Sequence, residues 1–299
     1  MIGASPSALA SQSYCVADLN AGGDCIDGVR RSNGNPDSIG SGAVAASCGI
    51  AFMAKASAPG RTKTRLVPPL TFDEAAALNT AFLCDVADNV LLAARHAAPQ
   101  AGIAGYAAFG PTGAEDFFRG TLPGAIGLIG AWFPNFGDCL FHTIRELFAQ
   151  THKSAVVLNS DSPTLPTALL IETATTLAQP GDRAVLGPST DGGYYLLGLK
   201  AAHRRMFEDI DWSTSRVAEQ TLQRARDIDL DVHVLPAWYD VDDVDGLRRL
   251  DAELNGERGH GALAPHYAIQ TAKLMRRLAQ NRDFGGRPDR LMQVDEVRA

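Results

Sequence analysis

Ala155-Val156-Val157-Leu158-Asn159-Ser160-Asp161-Ser162-Pro163-Thr164-Leu165 is the stretch whose reading decides the fold. Its first four residues are apolar and include two β-branched valines, as in a short strand buried on both faces of a parallel sheet. The strand runs straight into a polar tip, Asn159 to Pro163. Ligands of open α/β sheets sit beyond the carboxyl ends of the strands. Asp161 is therefore a candidate group for handling a metal or a phosphate.

Working outward, a length of 299 residues with 45% hydrophobic content allows one large domain or two modest ones with a real core. The net charge of −7, without a Lys/Arg run, argues against a nucleic-acid partner. Phosphate ligands need only a few local cations and stay open. Cys15, Cys25, Cys48, Cys84 and Cys139 form no Cys-x-x-Cys pair and read as reduced thiols of a cytoplasmic protein. No run of about 18 apolar residues and no basic-then-apolar leader is found, so no membrane span is expected.

Residues 1–43 are rich in Ser, Gly, Asn and Asp and read as a flexible N-terminal extension. Val44 to Ala54 reads as the first strand, followed by a loop that carries Lys55, Arg61, Lys63 and Arg65 with Gly60 among them. Gly lets the backbone approach a ligand, and cations make charge-assisted contacts to phosphate oxygens. The Walker pattern is absent, and a solvated basic loop is an equal alternative on this segment alone. Thr71-Phe72-Asp73-Glu74 is a capping box that opens a long helix to about Ala97, with Ala75, Leu78, Phe82, Val86 and Val90 on its buried face. Gly102 to Phe109 reads as a second strand, and Ala125 to Trp132 as either a strand or an irregular substrate-facing segment. Asp138 to Thr151 has a helical pattern.

Beyond Asp161, Pro166 opens a helix to about Ala178, and Arg183 to Leu186 is a short strand. Asp191-Gly192-Gly193 then precedes the apolar strand that begins near Tyr194. The two glycines permit close backbone approach to a ligand, although Asp-Gly is also a strong turn signal. Asp191 is a possible catalytic base or a residue that shapes this turn. Trp212 could stack on a base or sugar, or simply fill the core. A helix is expected from Ser213 to Asp227 and a strand from Leu230 to Leu235. Asp240, Asp242, Asp243 and Asp245 crowd the loop that opens a helix to about Leu254, where Asp243 and Asp245 suit capping. Residues 255–299 read as a partly helical C-terminal appendage, with a helix between Pro265 and Asn281.

Strands and helices alternate over residues 44–254, so the body is expected to be a three-layer α/β/α domain. Three polar loops follow strands: Lys55–Arg65, Asn159–Pro163 and Tyr239–Asp242. Lys63 and Arg65 could hold a nucleotide's phosphates, while Asp161 and Asp242 share Mg²⁺ or Mn²⁺, for which hard oxygen ligands are suited.

Five motifs in order carry a family resemblance. They are Lys55…Pro59-Gly60…Lys63-Thr64-Arg65-Leu66, Ser160-Asp161-Ser162-Pro163, Gly187-Pro188…Asp191-Gly192-Gly193-Tyr194-Tyr195, Trp212-Ser213-Thr214 and Asp240-Val241-Asp242. Together they resemble the DUF2064 family over roughly residues 48–254. The resemblance implies a GT-A-like fold, a nucleotide-activated donor and a small-molecule acceptor. It places Asp161 and Asp242 as metal ligands, Lys63 and Arg65 at the phosphates, and Asp191, Gly192 and Gly193 on the acceptor or sugar side. Tyr194 and Trp212 stand in the same motifs as candidate substrate contacts. Relatives usually carry Gly-Asp-Leu-Gly-Glu-Arg where this chain reads Gly137-Asp138-Cys139-Leu140-Phe141-His142, so a Glu-Arg pair is missing. The chain is also similar to 2-phospholactate guanylyltransferases in its Lys-Thr-Arg-Leu loop. Three functions follow: glycosyl transfer from a nucleotide-sugar, nucleotidyl transfer that releases pyrophosphate, or nucleotide binding without catalysis.

Overall fold

The computed structural model describes residues 48–97, 101–256 and 263–280. The extension at residues 1–43, with Cys15 and Cys25, lies outside the described residues, as do 44–47, 98–100, 257–262 and 281–299. The described residues belong to one unit that begins at Ala43.

Seven strands form one sheet in the order β3-β2-β1-β4-β6-β5-β7. These are β1 (Cys48–Lys55), β2 (Ile103–Gly110), β3 (Gly127–Gly130), β4 (Ser154–Leu158), β5 (Ala184–Pro188), β6 (Tyr194–Leu199) and β7 (Val232–Val234). Only β6 runs against its neighbours, β4 and β5; the other pairs are parallel. The helices are α1 (Phe72–His96), α2 (Glu115–Thr121), α3 (Phe136–Ala149), α4 (Thr167–Ala178), α5 (Val217–Arg226), α6 (Val244–Leu254) and α7 (Ile269–Gln280).

The strand period of two divides the core between the sheet's faces. Ile50 and Phe52 of β1, with Val156 and Leu158 of β4, pack in one apolar cluster with α1, α4 and α7. Ala51, Ala155 and Val157 pack on the other face with Ile144 and Leu147 of α3 and Ala225 of α5. The sheet is thus covered on both sides, which is why its inner strands are apolar throughout.

The Thr71 box closes as the sequence indicates: Glu74 N donates to Thr71 Oγ1 at 3.2 Å, and Thr71 N donates to Glu74 Oε2 at 2.7 Å. α1 is long and apolar enough to cross a membrane by length and composition, but it is a core helix, with Leu78, Phe82 and Val90 fully buried. The segment from Ala125 to Trp132 is resolved as β3, an edge strand. The helix expected from Ser213 begins only at Val217. There, Thr214 Oγ1 donates to Asp211 O at 2.8 Å and accepts from Arg216 N at 3.3 Å. A local side-chain turn competes with the helix for these backbone groups. α7 packs on α1, and both carboxylate oxygens of Asp85 accept from its first turn, from Gln270 N at 2.9 Å and Thr271 N at 2.7 Å.

Candidate functional site

A cavity of about 440 Å³ opens at the carboxyl ends of β1, β2 and β4. One flank is polar and built by the loop after β1 (Arg61–Arg65), the tip after β4 (Asn159–Asp161) and Asp242. The other flank is apolar, with Met53, Ala108, Ala131, Trp132, Phe136 and Leu140.

Backbone bonds hold the two acidic loops together. Val241 N donates to Asp161 O at 2.8 Å, and Ser162 Oγ donates to Tyr239 O at 2.8 Å. Gly246 allows the start of α6 to close on this loop, since a Cβ there would lie 2.8 Å from Asp240 O. Asp243 caps α6 by accepting from Gly246 N at 2.9 Å, which leaves Asp242 free of that task.

Between the loops sits the Lys63 ammonium. Nζ lies 2.6 Å from Asp161 Oδ1 and 3.0 Å from Asp242 Oδ1, and donates to Val241 O at 2.8 Å. The lysine side chain is only 5% exposed, and its backbone is left-handed at φ 50°. Burial is the largest influence on its pKa and pulls it down. Asp161 and Asp242 outweigh that, so the pKa stands above the ordinary lysine value and the group stays charged. Asp240 is pushed up to about 6, first by burial and then by Asp191, Asp242 and Asp161. Two carboxylates thus converge on the ammonium, and Asp240 lies close enough to feel both of them and Asp191, a negative field that favours additional positive charge.

Two carboxylates aimed at one cation position fit a divalent ion. Among the described residues no three Asp, Glu, His or Cys side chains are grouped to hold a metal unaided. That also fits Mg²⁺ or Mn²⁺, because Mg²⁺ commonly takes one or two carboxylates and completes its shell with substrate phosphates and water. Lys63 Nζ stands where the ion's charge would be.

Of the residues singled out in the sequence, Lys55, Lys63, Arg65, Asp161, Tyr194 and Asp242 line this cavity. Lys55 Nζ donates to Arg61 O at 2.8 Å and so shapes the loop as well. Gly60 has φ +71° and turns the same loop without reaching the wall. Asp191, Gly192 and Gly193 are not among the lining residues. Asp191 Oδ1 accepts from Gly193 N at 2.8 Å, a turn-shaping contact, and Gly192 has φ +92° with Ser215 O close behind it. Trp212 borders a second cavity beside Asp138, Arg204 and Asp211, and meets Phe136 and Tyr194 edge to face. Sequence reading named neither Trp132 nor Phe136 as a site residue, although the segment ending at Trp132 was open to a substrate-facing role. Their signal was an unusual aromatic density, Trp132-Phe133-Pro134-Asn135-Phe136, directly after a short strand.

A family model described as "Uncharacterized protein conserved in bacteria (DUF2064)" matches residues 93–214. That match spans part of the chain and lies within the stretch over which the motifs resemble the same family. A crystal structure named as a "putative nucleotide-diphospho-sugar transferase" from Desulfovibrio desulfuricans G20 is 25% identical, with a TM-score of 0.64 over 78% of this chain and 95% of that one. The chain therefore has a nucleotide-diphospho-sugar-transferase-like, GT-A-like fold. CMP:2-keto-3-deoxy-manno-octonic acid synthetase complexed with CTP is 13% identical over 71% of this chain and 99% of that one, at a TM-score of 0.44. The 4-diphosphocytidyl-2C-methyl-D-erythritol synthase of Anaerococcus prevotii DSM 20548 is 13% identical over 72% and 100%, also at 0.44. These two likenesses are too distant to bear on function. No curated protein matches.

Proposed function

We propose that the protein is a metal-dependent transferase that uses a nucleotide-activated donor, and that its reaction is glycosyl transfer from a nucleotide-sugar to a small-molecule acceptor. The observation that carries this reading is the convergence of Asp161 and Asp242, from two loops, on one cation position at the wall of the cavity. The likeness to the Desulfovibrio desulfuricans protein supports the donor class.

A bound divalent ion would neutralise the charge that develops on the leaving diphosphate. Asp161 and Asp242 would hold that ion. Lys63 would then release one or both carboxylates and meet the donor's phosphates, next to the exposed Arg65 guanidinium on the same wall. The bond between the anomeric carbon and the diphosphate oxygen breaks, and its electron pair stays with the diphosphate. The acceptor's heteroatom bonds the anomeric carbon and gives up its proton to the departing diphosphate or to solvent. Asp191, Gly192 and Gly193 shape the neighbouring turn, and Tyr194, which follows them, is the member of that motif on the cavity wall.

A second reading is favoured by the number of cations on the loop after β1, where Lys55, Arg61, Lys63 and Arg65 all line the cavity. Such a loop suits a triphosphate, and the reaction would be nucleotidyl transfer to an acceptor phosphate with loss of pyrophosphate. A product assay with Mn²⁺ decides between the two. Nucleoside diphosphate released from a nucleotide-sugar is the expected result; pyrophosphate released from a nucleoside triphosphate would transfer the assignment to the second reading. Nucleotide binding without either product would mean a binding protein.

A further inference from the structure

The apolar flank of the cavity ends in an aromatic shelf that the proposed chemistry does not use. Trp132 is 53% exposed and Phe136 48% exposed, and both line the cavity. Large aromatic surface is normally withdrawn from water, so two such side chains at one cavity wall call for a partner. Trp132 has little freedom to withdraw. Its indole lies against the backbone at the end of β2, where a Cβ on Gly110 would stand 2.1 Å from Trp132 Cε3. Phe136 is braced edge to face by Trp212, with ring centroids 5.4 Å apart at 84°. Small residues, Ala108 and Ala131, line the same flank and leave room beside the indole.

On the nucleotide reading above, we infer that Trp132 is the stacking platform for the nucleotide's base. The geometry points to a planar, apolar-faced ligand group because the cavity that holds this aromatic shelf is also lined by the cations and carboxylates of the polar loops. A nucleotide has that division, with a flat base at one end and phosphates at the other. The cavity's volume also falls within the range of small-molecule sites. Stacking is tolerant of sequence because every base has a π-face, so Trp132 contributes affinity for purine and pyrimidine nucleotides alike.

The test compares wild type, Trp132→Phe and Trp132→Ala by calorimetry with Mn²⁺, using CTP, GTP and inorganic tripolyphosphate. Trp132→Ala weakens both nucleotides about tenfold or more, and Trp132→Phe weakens them less. Tripolyphosphate affinity stays within about twofold in both variants, which also shows that they are folded. Tryptophan fluorescence supplies an independent readout: nucleotide, but not tripolyphosphate, quenches wild type, and the quench shrinks in Trp132→Phe. Unchanged nucleotide affinity in Trp132→Ala, with normal tripolyphosphate binding, would overturn the platform and leave the nucleotide reading standing. Wild type that binds tripolyphosphate but no nucleotide would overturn both.

Discussion

Lys63 is the residue at which charge, burial and backbone geometry meet. Two carboxylate contacts, at 2.6 and 3.0 Å, hold its ammonium where a divalent ion's charge would lie. Even at the dielectric of water a unit-charge contact near 3 Å is worth ~1.4 kcal/mol, a factor of about ten. Lysine and ion therefore compete for Asp161 and Asp242. Lys63→Met should tighten Mn²⁺ binding to the nucleotide-free protein by about tenfold or more, measured by calorimetry. The same variant should melt lower than wild type without metal, because its carboxylates lose their counter-charge, and should recover more on adding Mn²⁺. Equal Mn²⁺ affinity in the two proteins would mean that the acids do not form the cation site. Gly192 makes a second case. At φ +92°, with an added Cβ 2.1 Å from Ser215 O, Gly192→Ala should destabilise by at least 1–3 kcal/mol in thermal or urea melts.

Asp161 and Asp242 were legible in the sequence because each follows a recognisable strand-and-loop pattern. Their junction through Lys63 was not. The loop's spacing says that a cation lies in it, but not that the left-handed turn at Lys63 directs the ammonium to the acids instead of outward. Trp132 was not singled out for a different reason: glycines at 120, 124, 127 and 130 left its segment open between a strand and an irregular substrate-facing stretch.

At the scale of elements, sequence was most informative where local chemistry and burial agree. α1 shows this: its capping box and its apolar stripe point to the same helix. α5 shows the converse, since the Asp211–Thr214 turn takes backbone groups that propensity alone would assign to a helix. The coupling of α7 to α1 had no sequence signature, because a carboxylate on one helix caps another that lies 185 residues away in the chain. Asp85→Ala should therefore cost about 1–3 kcal/mol in thermal unfolding, since it leaves two amides at the start of α7 without an acceptor. Asp85→Asn, which keeps one acceptor oxygen, should cost less. A melting temperature unchanged by Asp85→Ala would show that α7 does not depend on this cap.

For the whole molecule, the mostly parallel sheet was readable from alternating patterns, whereas its order was not. The antiparallel β6 between β4 and β5 depends on long-range pairing that no local period records. Stability should also carry a pH signature of the C-terminal docking. His266, whose backbone N–H donates to Thr164 O at 3.0 Å, has its imidazole pKa lowered from 6.5, chiefly by burial. The unfolded chain then takes up a proton near pH 6.5 that the folded chain resists. The stability this provides is present above that pH and is lost as pH falls through the lowered value. Relative to His266→Gln, wild type should thus lose melting temperature as pH drops below 6.5. Parallel pH profiles would remove His266 from the account.

The central claim is that Asp161 anchors a metal–diphosphate site. Calorimetric titration of CTP or GTP, with and without Mn²⁺, into wild type and Asp161→Ala tests it most directly. Wild type should bind nucleotide more tightly with Mn²⁺, and Asp161→Ala should lose that metal-dependent gain. An equal Mn²⁺-dependent gain in the two proteins would contradict it.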